Sequence, residues 1–272
     1  MTVKEPVRAA DTGHGHKVDV DLSKLIPGTT LPISNGESMA KDAHVGKKIQ
    51  SSSQAGPVLY GRPTTVTLYA SQDLKAAGLI PEMHDLINEA FAVSHGRTRA
   101  MPAEVLRLQS KEQLVLELSG PGTFTYVITY TGTNNVIGVA SAKKYKSTPS
   151  RQPVSVENPK SAFTRTGPSQ QNTEGFELST MAVDPSLQRQ GLAGLLMDLE
   201  DREVKRRFLV AREEQGKPDL GLVMLLTTIK EINGQFYARK GWQADYETFQ
   251  EPGWRGSENG FTVVHMSKKV EV

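Results

Sequence analysis

The order of apolar and polar positions predicts most of the elements. In TTVTLYA (64–70), Val66 and Leu68 alternate with threonines, the period of a strand with one buried face. Between Pro81 and Gly96, Met83, Leu86, Ile87, Ala90 and Phe91 recur every three or four residues, which predicts an amphipathic helix that proline opens and glycine stops. A second helical segment is read over Pro102 to Leu118. FTYVITY (124–130) and VIGVASA (136–142) flank the turn-rich Gly132 to Asn135 and read as an antiparallel hairpin. Gly175 to Val183 reads as a strand, and Gly191 to about Leu209 as a helix with Leu192, Leu195, Leu196 and Leu199 on one face. LGLVMLLTT (220–228) is a continuous apolar run that suits a strand covered on both sides. A short helix follows from Gly234 to Lys240, and strands over Trp242 to Phe249 and Phe261 to Ser267 close the chain, separated by the loop Pro252 to Gly260.

Two stretches have no such pattern. Residues 1–62 are Gly, Pro, Ser, Thr and scattered charge with Tyr60 as their only aromatic, so they read as a flexible N-terminal tail that buries too little to offset its ordering entropy. His14 and His16 lie in that tail and read as solvated. Residues 146–173, a run of Pro, Ser, Gln, Asn and Thr, read as a flexible insert between two strands. What remains, 63–272, is one α/β domain built on a mixed sheet.

Composition removes several classes of chemistry. The chain has 272 residues and no Cys, so disulfides, a thiolate nucleophile and thiolate metal sites are excluded. With 32 Lys plus Arg against 30 Asp plus Glu, it lacks the cationic excess of a nucleic-acid binder. The triplet Lys205, Arg206, Arg207 reads as a solvated helix face. The first 22 residues contain no apolar run of leader length, and the uncharged stretch 118–142 alternates like a hairpin and does not read as a span. The expectation is therefore an intracellular protein with neither a membrane nor a nucleic-acid partner.

The chemistry concentrates in MAVDPSLQRQGLAGLLMDLE (181–200). A strand ends at Val183, a proline-containing loop follows, and Gly191 and Gly194 open an amphipathic helix. Unsatisfied backbone N–H groups and the helix dipole make such a start an anion cradle, and small residues let a phosphate approach the main chain. Gln188 and Arg189 add side-chain donors. The glycines follow neither GxGxxG nor GxxxxGK[ST], so the dinucleotide and nucleoside-triphosphate loops lack their required residues.

Gln188, Arg189, Gln190, Gly191, Leu192 and Ala193 resemble the Q/R-x-x-G-x-G/A pyrophosphate loop of the GCN5-related N-acetyltransferase (GNAT) superfamily. NGQFYARKGW (233–242) resembles a later motif of that family, N-x-x-F-Y-x-x-x-G-F/W. The resemblance implies a mixed, mostly antiparallel sheet with flanking helices and splayed parallel central strands, and acetyl-CoA as co-substrate with no metal. It assigns the main chain of Met181, Ala182 and Val183 to the pantetheine arm and residues 188–193, with Gly194, to the pyrophosphate. It also places Asn233 on the cofactor, Tyr237 near its sulfur as the acid for the leaving thiolate, and Glu177 at the position of the family's general base.

Amine acetylation must deprotonate an ammonium, stabilise a developing oxyanion and release a thiolate. Glu177 and Tyr237 are the candidate acid–base groups, a backbone N–H near 181–183 serves the oxyanion, and His95, Glu89 and Glu104 are further base candidates. Without Cys or a GxSxG elbow, direct attack in a ternary complex is expected. The acceptor is read as a small-molecule primary amine. A protein lysine or N-terminus is the alternative, and a non-catalytic acetyl-CoA sensor is an alternative of another class. The oligomeric state is not legible.

Overall fold

The computed structural model describes residues 51–98, 101–145 and 173–272, all within one compact unit. Residues 1–50, with His14 and His16, and residues 146–172 lie outside the described residues. In chain order the elements are β1 (Ser52–Ala55), β2 (Thr64–Ala70), α1 (Ser71–Ala76), α2 (Ile80–Thr98), α3 (Lys111–Glu117), β3 (Phe124–Tyr130), β4 (Val136–Tyr145), β5 (Thr173–Val183), α4 (Leu192–Gln215), β6 (Gly221–Ile229), α5 (Gln235–Arg239), β7 (Gln243–Gln250) and β8 (Phe261–Val270).

The eight strands form one sheet in the order β1-β2-β3-β4-β5-β6-β8-β7. Every neighbouring pair is antiparallel except β5 and β6, which run parallel at the centre. Alternation along the strands builds a core on each face. Ile128, Ala140, Phe176, Leu178, Met224 and Met266 pack with Leu192, Leu196 and Phe208 of α4. On the other face, Val127, Val139 and Ala182 pack with Met83, Leu86 and Ile87 of α2. The expected mixed, mostly antiparallel sheet with flanking helices and splayed parallel central strands is the architecture found.

Three expectations need correction. Order begins at β1, not at Thr64: Ser52–Ala55 pair with Leu68–Thr65, and Leu59 is buried and bridged to Arg62. β1 is exposed at all four positions, so its backbone pairing leaves no apolar trace in the sequence. The segment 102–118 is helical only over α3, where Ser110 accepts the Gln113 N–H as its N-cap. The triplet on α4 is more than a solvated face: Arg206 is exposed, yet the arginines are tied into the fold. Arg206 and Arg207 both donate to the buried Glu203 carboxylate at 2.6–2.7 Å, and Arg207 lies 4.3 Å from the Phe124 ring centroid.

Candidate functional site

The central feature is a wedge between β5 and β6. Their parallel pairing runs from Thr173–Gly221 to Glu177–Leu225 and stops there, although β5 continues to Val183 and β6 to Ile229. Beyond that rung β5 pairs only with β4, and β6 only with β8. The cause is local. Ser141 pairs with Thr180 and Ala142 with Leu178, so Ser179 is an extra residue in β5, a bulge that bends the strand away from its neighbour. The main chain of Met181, Ala182 and Val183 therefore has one edge on β4 and the other facing the wedge.

The bulge also resets which side chains face which layer. Phe176, Leu178, Met181 and Val183 pack toward α4, whereas Ala182 packs toward α2. Glu177 and Thr180 share Ala182's face by the same alternation.

At the wide end of the wedge the chain turns from β5 into α4. Asp184 Oδ1 accepts the Ser186 N–H at 2.8 Å and Pro185 opens a single 3₁₀ turn, which aims the chain toward α4. Arg189 has φ of 66°, a left-handed conformation that costs a non-glycine residue about 1–2 kcal/mol and marks a constrained loop. Gly191 is the N-cap of α4 with φ of 83° and no side-chain cap, and nothing lies within 4 Å of where a Cβ would sit. The first-turn N–H groups of a 24-residue helix thus face open space. Such a helix start carries positive potential.

Side chains remote in sequence reach this loop and helix start. Lys240 Nζ lies 3.3 Å from the position a Gly194 Cβ would take and 3.4 Å from Asp198 Oδ1, so an ammonium stands beside the positive end of a helix dipole. Arg97, in the last turn of α2, donates to Gln188 Oε1 at 2.7 Å, and Gln190 donates to the Tyr60 hydroxyl at 3.2 Å. Lys240, Arg97 and Tyr60 were not singled out from the sequence for this role. Lys240 carried a weak signal, as the last residue before the Gly241 stop of the second motif.

The chemistry-bearing candidates gather around the wedge to different degrees. Tyr237 of α5 sits in the α4-side core between Phe236 and Trp242, with ring centroids at 5.2 and 6.0 Å. Burial pushes its phenol well above the ordinary range, so it is a protonated donor at any physiological pH. Asn233 lies in the π-turn that links β6 to α5 and donates to Thr228 Oγ1 at 3.4 Å. Glu177 stands on the last paired rung and is 3.3 Å from Lys143 Nζ, its cross-strand partner. Of the other base candidates, His95 is buried on α2. Glu89 is exposed on the same helix and Glu104 is exposed in the α2–α3 connection.

No family model and no curated relative matches the chain. Solved structures do. The ribosomal-protein-S18-alanine N-acetyltransferase of Escherichia coli aligns at 14% identity and TM-score 0.45, over 77% of this chain and 95% of that one. A GNAT-family acetyltransferase from Streptococcus pneumoniae aligns at 12% identity and TM-score 0.43, over 76% and 99%. Arabidopsis thaliana NAA60 in complex with acetyl-CoA aligns at 13% identity and TM-score 0.39, over 68% and 93%. Among the described residues no group of three or more His, Asp or Glu could hold a metal ion, and no helix is long and apolar enough to cross a membrane.

Proposed function

We propose that the chain is an acetyl-CoA-dependent N-acetyltransferase of the GNAT superfamily, acting on a primary amine by direct transfer in a ternary complex. The observation that carries this reading is the wedge. Two parallel strands part at a bulge, leave the main chain of 181–183 without a strand partner on one edge, and open toward an uncapped helix start flanked by Arg189 and Lys240. An extended arm with amide groups and a pyrophosphate at its end matches that sequence of features.

In this mechanism the free edge of 181–183 holds the pantetheine amides, and a backbone N–H there stabilises the carbonyl oxygen as it gains charge. The first turn of α4, with Arg189, Gln190 and Lys240, holds the pyrophosphate, and Asn233 fixes the cofactor from the turn after β6. Tyr237, kept protonated by burial and edged by Phe236 and Trp242, donates its proton to the departing sulfur. Glu177 stands at the family's base position on the α2 face.

The acceptor is read as a compact amine. On the α2 face the loop between β7 and β8 meets the α2–α3 connection, where a Cβ on Gly256 would lie 3.0 Å from Pro102 Cγ. Met101, Ile229, Phe261 and Val263 pack into an apolar cluster beneath that contact. Such a roof supports a small molecule over an extended chain. The test incubates the protein with acetyl-CoA and a panel of polyamines, aminosugars, amino acids and peptides with free N-termini or lysines, following CoA release beside calorimetric binding. Release with compact amines supports the reading, and release with peptides alone replaces the acceptor with a protein. Binding without any release identifies a sensor, and no binding of acetyl-CoA refutes the assignment.

A further inference from the structure

Two buried polar atoms on the α2 face have no hydrogen-bond partner: His95 Nδ1 and Thr180 Oγ1. Buried polar groups in folded proteins are nearly always satisfied, and each orphan costs about 1–3 kcal/mol. Thr180 follows the bulge on β5, on the half of the strand that β6 does not pair. His95 extends the sheet-facing stripe of α2. It lies eight residues past Ile87, about 12 Å further along the axis at 1.5 Å per residue.

The position of the last turns of α2 is fixed independently. The helix packs on β5, on the 3₁₀ turn after it and on the π-turn after β6. Arg97, two residues beyond His95, bonds Gln188 in the cradle. His95 is 3% exposed, with Phe91 edge-on at 5.6 Å, so its ring is held among the elements that line the open part of the wedge. Glu177, by contrast, stands at the closed end and already faces the Lys143 ammonium.

We infer that His95 is the catalytic base of the transfer, its Nδ1 taking a proton from the acceptor ammonium while the Thr180 hydroxyl accepts a second N–H of that nitrogen. The inference rests on the acetyltransferase reading and moves the base from Glu177 to α2. Burial alone lowers the His95 pKa from its ordinary 6.5, which keeps the ring neutral and ready to accept at neutral pH. The charged groups on the elements packed against α2 include Glu177 with Lys143, Asp184, Lys230, Glu231 and Arg107.

The protons balance. One ammonium proton passes to His95 Nδ1, the freed amine forms the C–N bond, and the C–S bond breaks as Tyr237 protonates the sulfur. The second nitrogen proton restores the Tyr237 hydroxyl, and His95 releases its proton to solvent after the products leave. One amide, one free thiol and one proton result.

The experiment compares wild type, His95→Gln and Glu177→Gln with the best amine from the panel, measuring acetyl-CoA affinity by calorimetry and kcat from pH 5 to 9. His95→Gln should bind acetyl-CoA within about twofold of wild type, lose kcat by about 10² or more, and lose the acid limb whose midpoint in wild type lies below 6.5. Glu177→Gln should retain that limb. A His95→Gln enzyme with the limb intact and kcat within threefold of wild type overturns the inference and leaves the acetyltransferase reading standing. Wild type that neither binds acetyl-CoA nor transfers from it overturns both. Should His95→Gln not fold, the His95 nitrogen resonances of wild type decide: a titration midpoint matching the kcat limb supports the base, and one more than a pH unit away overturns it.

Discussion

Glu200 offers a test of the fold's energetics that is independent of the acceptor. It lies on α4, fully buried, and neither carboxyl oxygen has a partner. Burial raises its pKa well above the ordinary 4.5; Arg207 opposes the rise, and Asp201 and Glu203 add to it. The folded state therefore binds a proton that the unfolded chain gives up above about 4.5. The stability associated with that proton is fully present below 4.5 and is lost as pH rises toward the folded pKa. The slope over that window is about 1.4 kcal/mol per pH unit.

Glu200→Gln keeps the shape and removes the titration. It should match wild type near pH 5 and exceed it progressively toward pH 8. Glu200→Met also removes both orphaned oxygens at nearly constant volume, a gain of about 1–3 kcal/mol even at acid pH. At about 2–4 °C per kcal/mol for a domain of this size, Tm should rise by roughly 2–12 °C. Thermal unfolding followed by circular dichroism from pH 5 to 9 is the assay. Parallel Tm curves for wild type and Glu200→Gln, or a Glu200→Met variant less stable than wild type throughout, would refute the reasoning, since either requires a carboxylate that is satisfied in the fold.

Three further outcomes bear on the cofactor. Gly191→Ala should cost only about 1–2 kcal/mol of stability, because the penalty is φ alone in open space, yet raise the acetyl-CoA KM by at least tenfold; an unchanged KM removes the cradle. Lys240→Met should leave Tm within about 2 °C, since its pair with Asp198 is solvent-screened, and weaken CoA binding by about tenfold or more; equal affinity by calorimetry rules out a phosphate contact. Tyr237→Phe preserves the ring packing and should lower kcat by 10- to 100-fold with little change in KM. Full turnover by that variant would mean that the thiolate leaves without its help.

The strands that bury one face were legible because their side chains alternate, and β3, β4, β5, β6 and β8 lie within a few residues of their predicted spans. The strand–loop–helix start was legible because its turn places a glycine at positive φ before α4. β1 was not, since SSQA buries no side chain and is held only through its backbone. α1 buries only Leu74, too little for a periodic signal. Lys240, Arg97 and Tyr60 reach the loop from distant parts of the chain, and no local pattern encodes such meetings. The polar pair Ser179–Thr180 interrupts alternation in ELSTMAV, and that break was the trace of the bulge.

That extra residue makes chain length at one point a determinant of the whole cleft. Excising Ser179 would put Thr180 directly after Leu178 and leave Thr180, Met181 and Val183 on the faces they now occupy, but it would remove the bend, and β5 and β6 would regain a continuous ladder. A one-codon deletion there would turn a forked sheet into a seamless one, with the loop motif intact but no slot leading to it. The recognisable letters of this chain and the opening they serve are thus encoded separately, and a descendant could keep the first while losing the second.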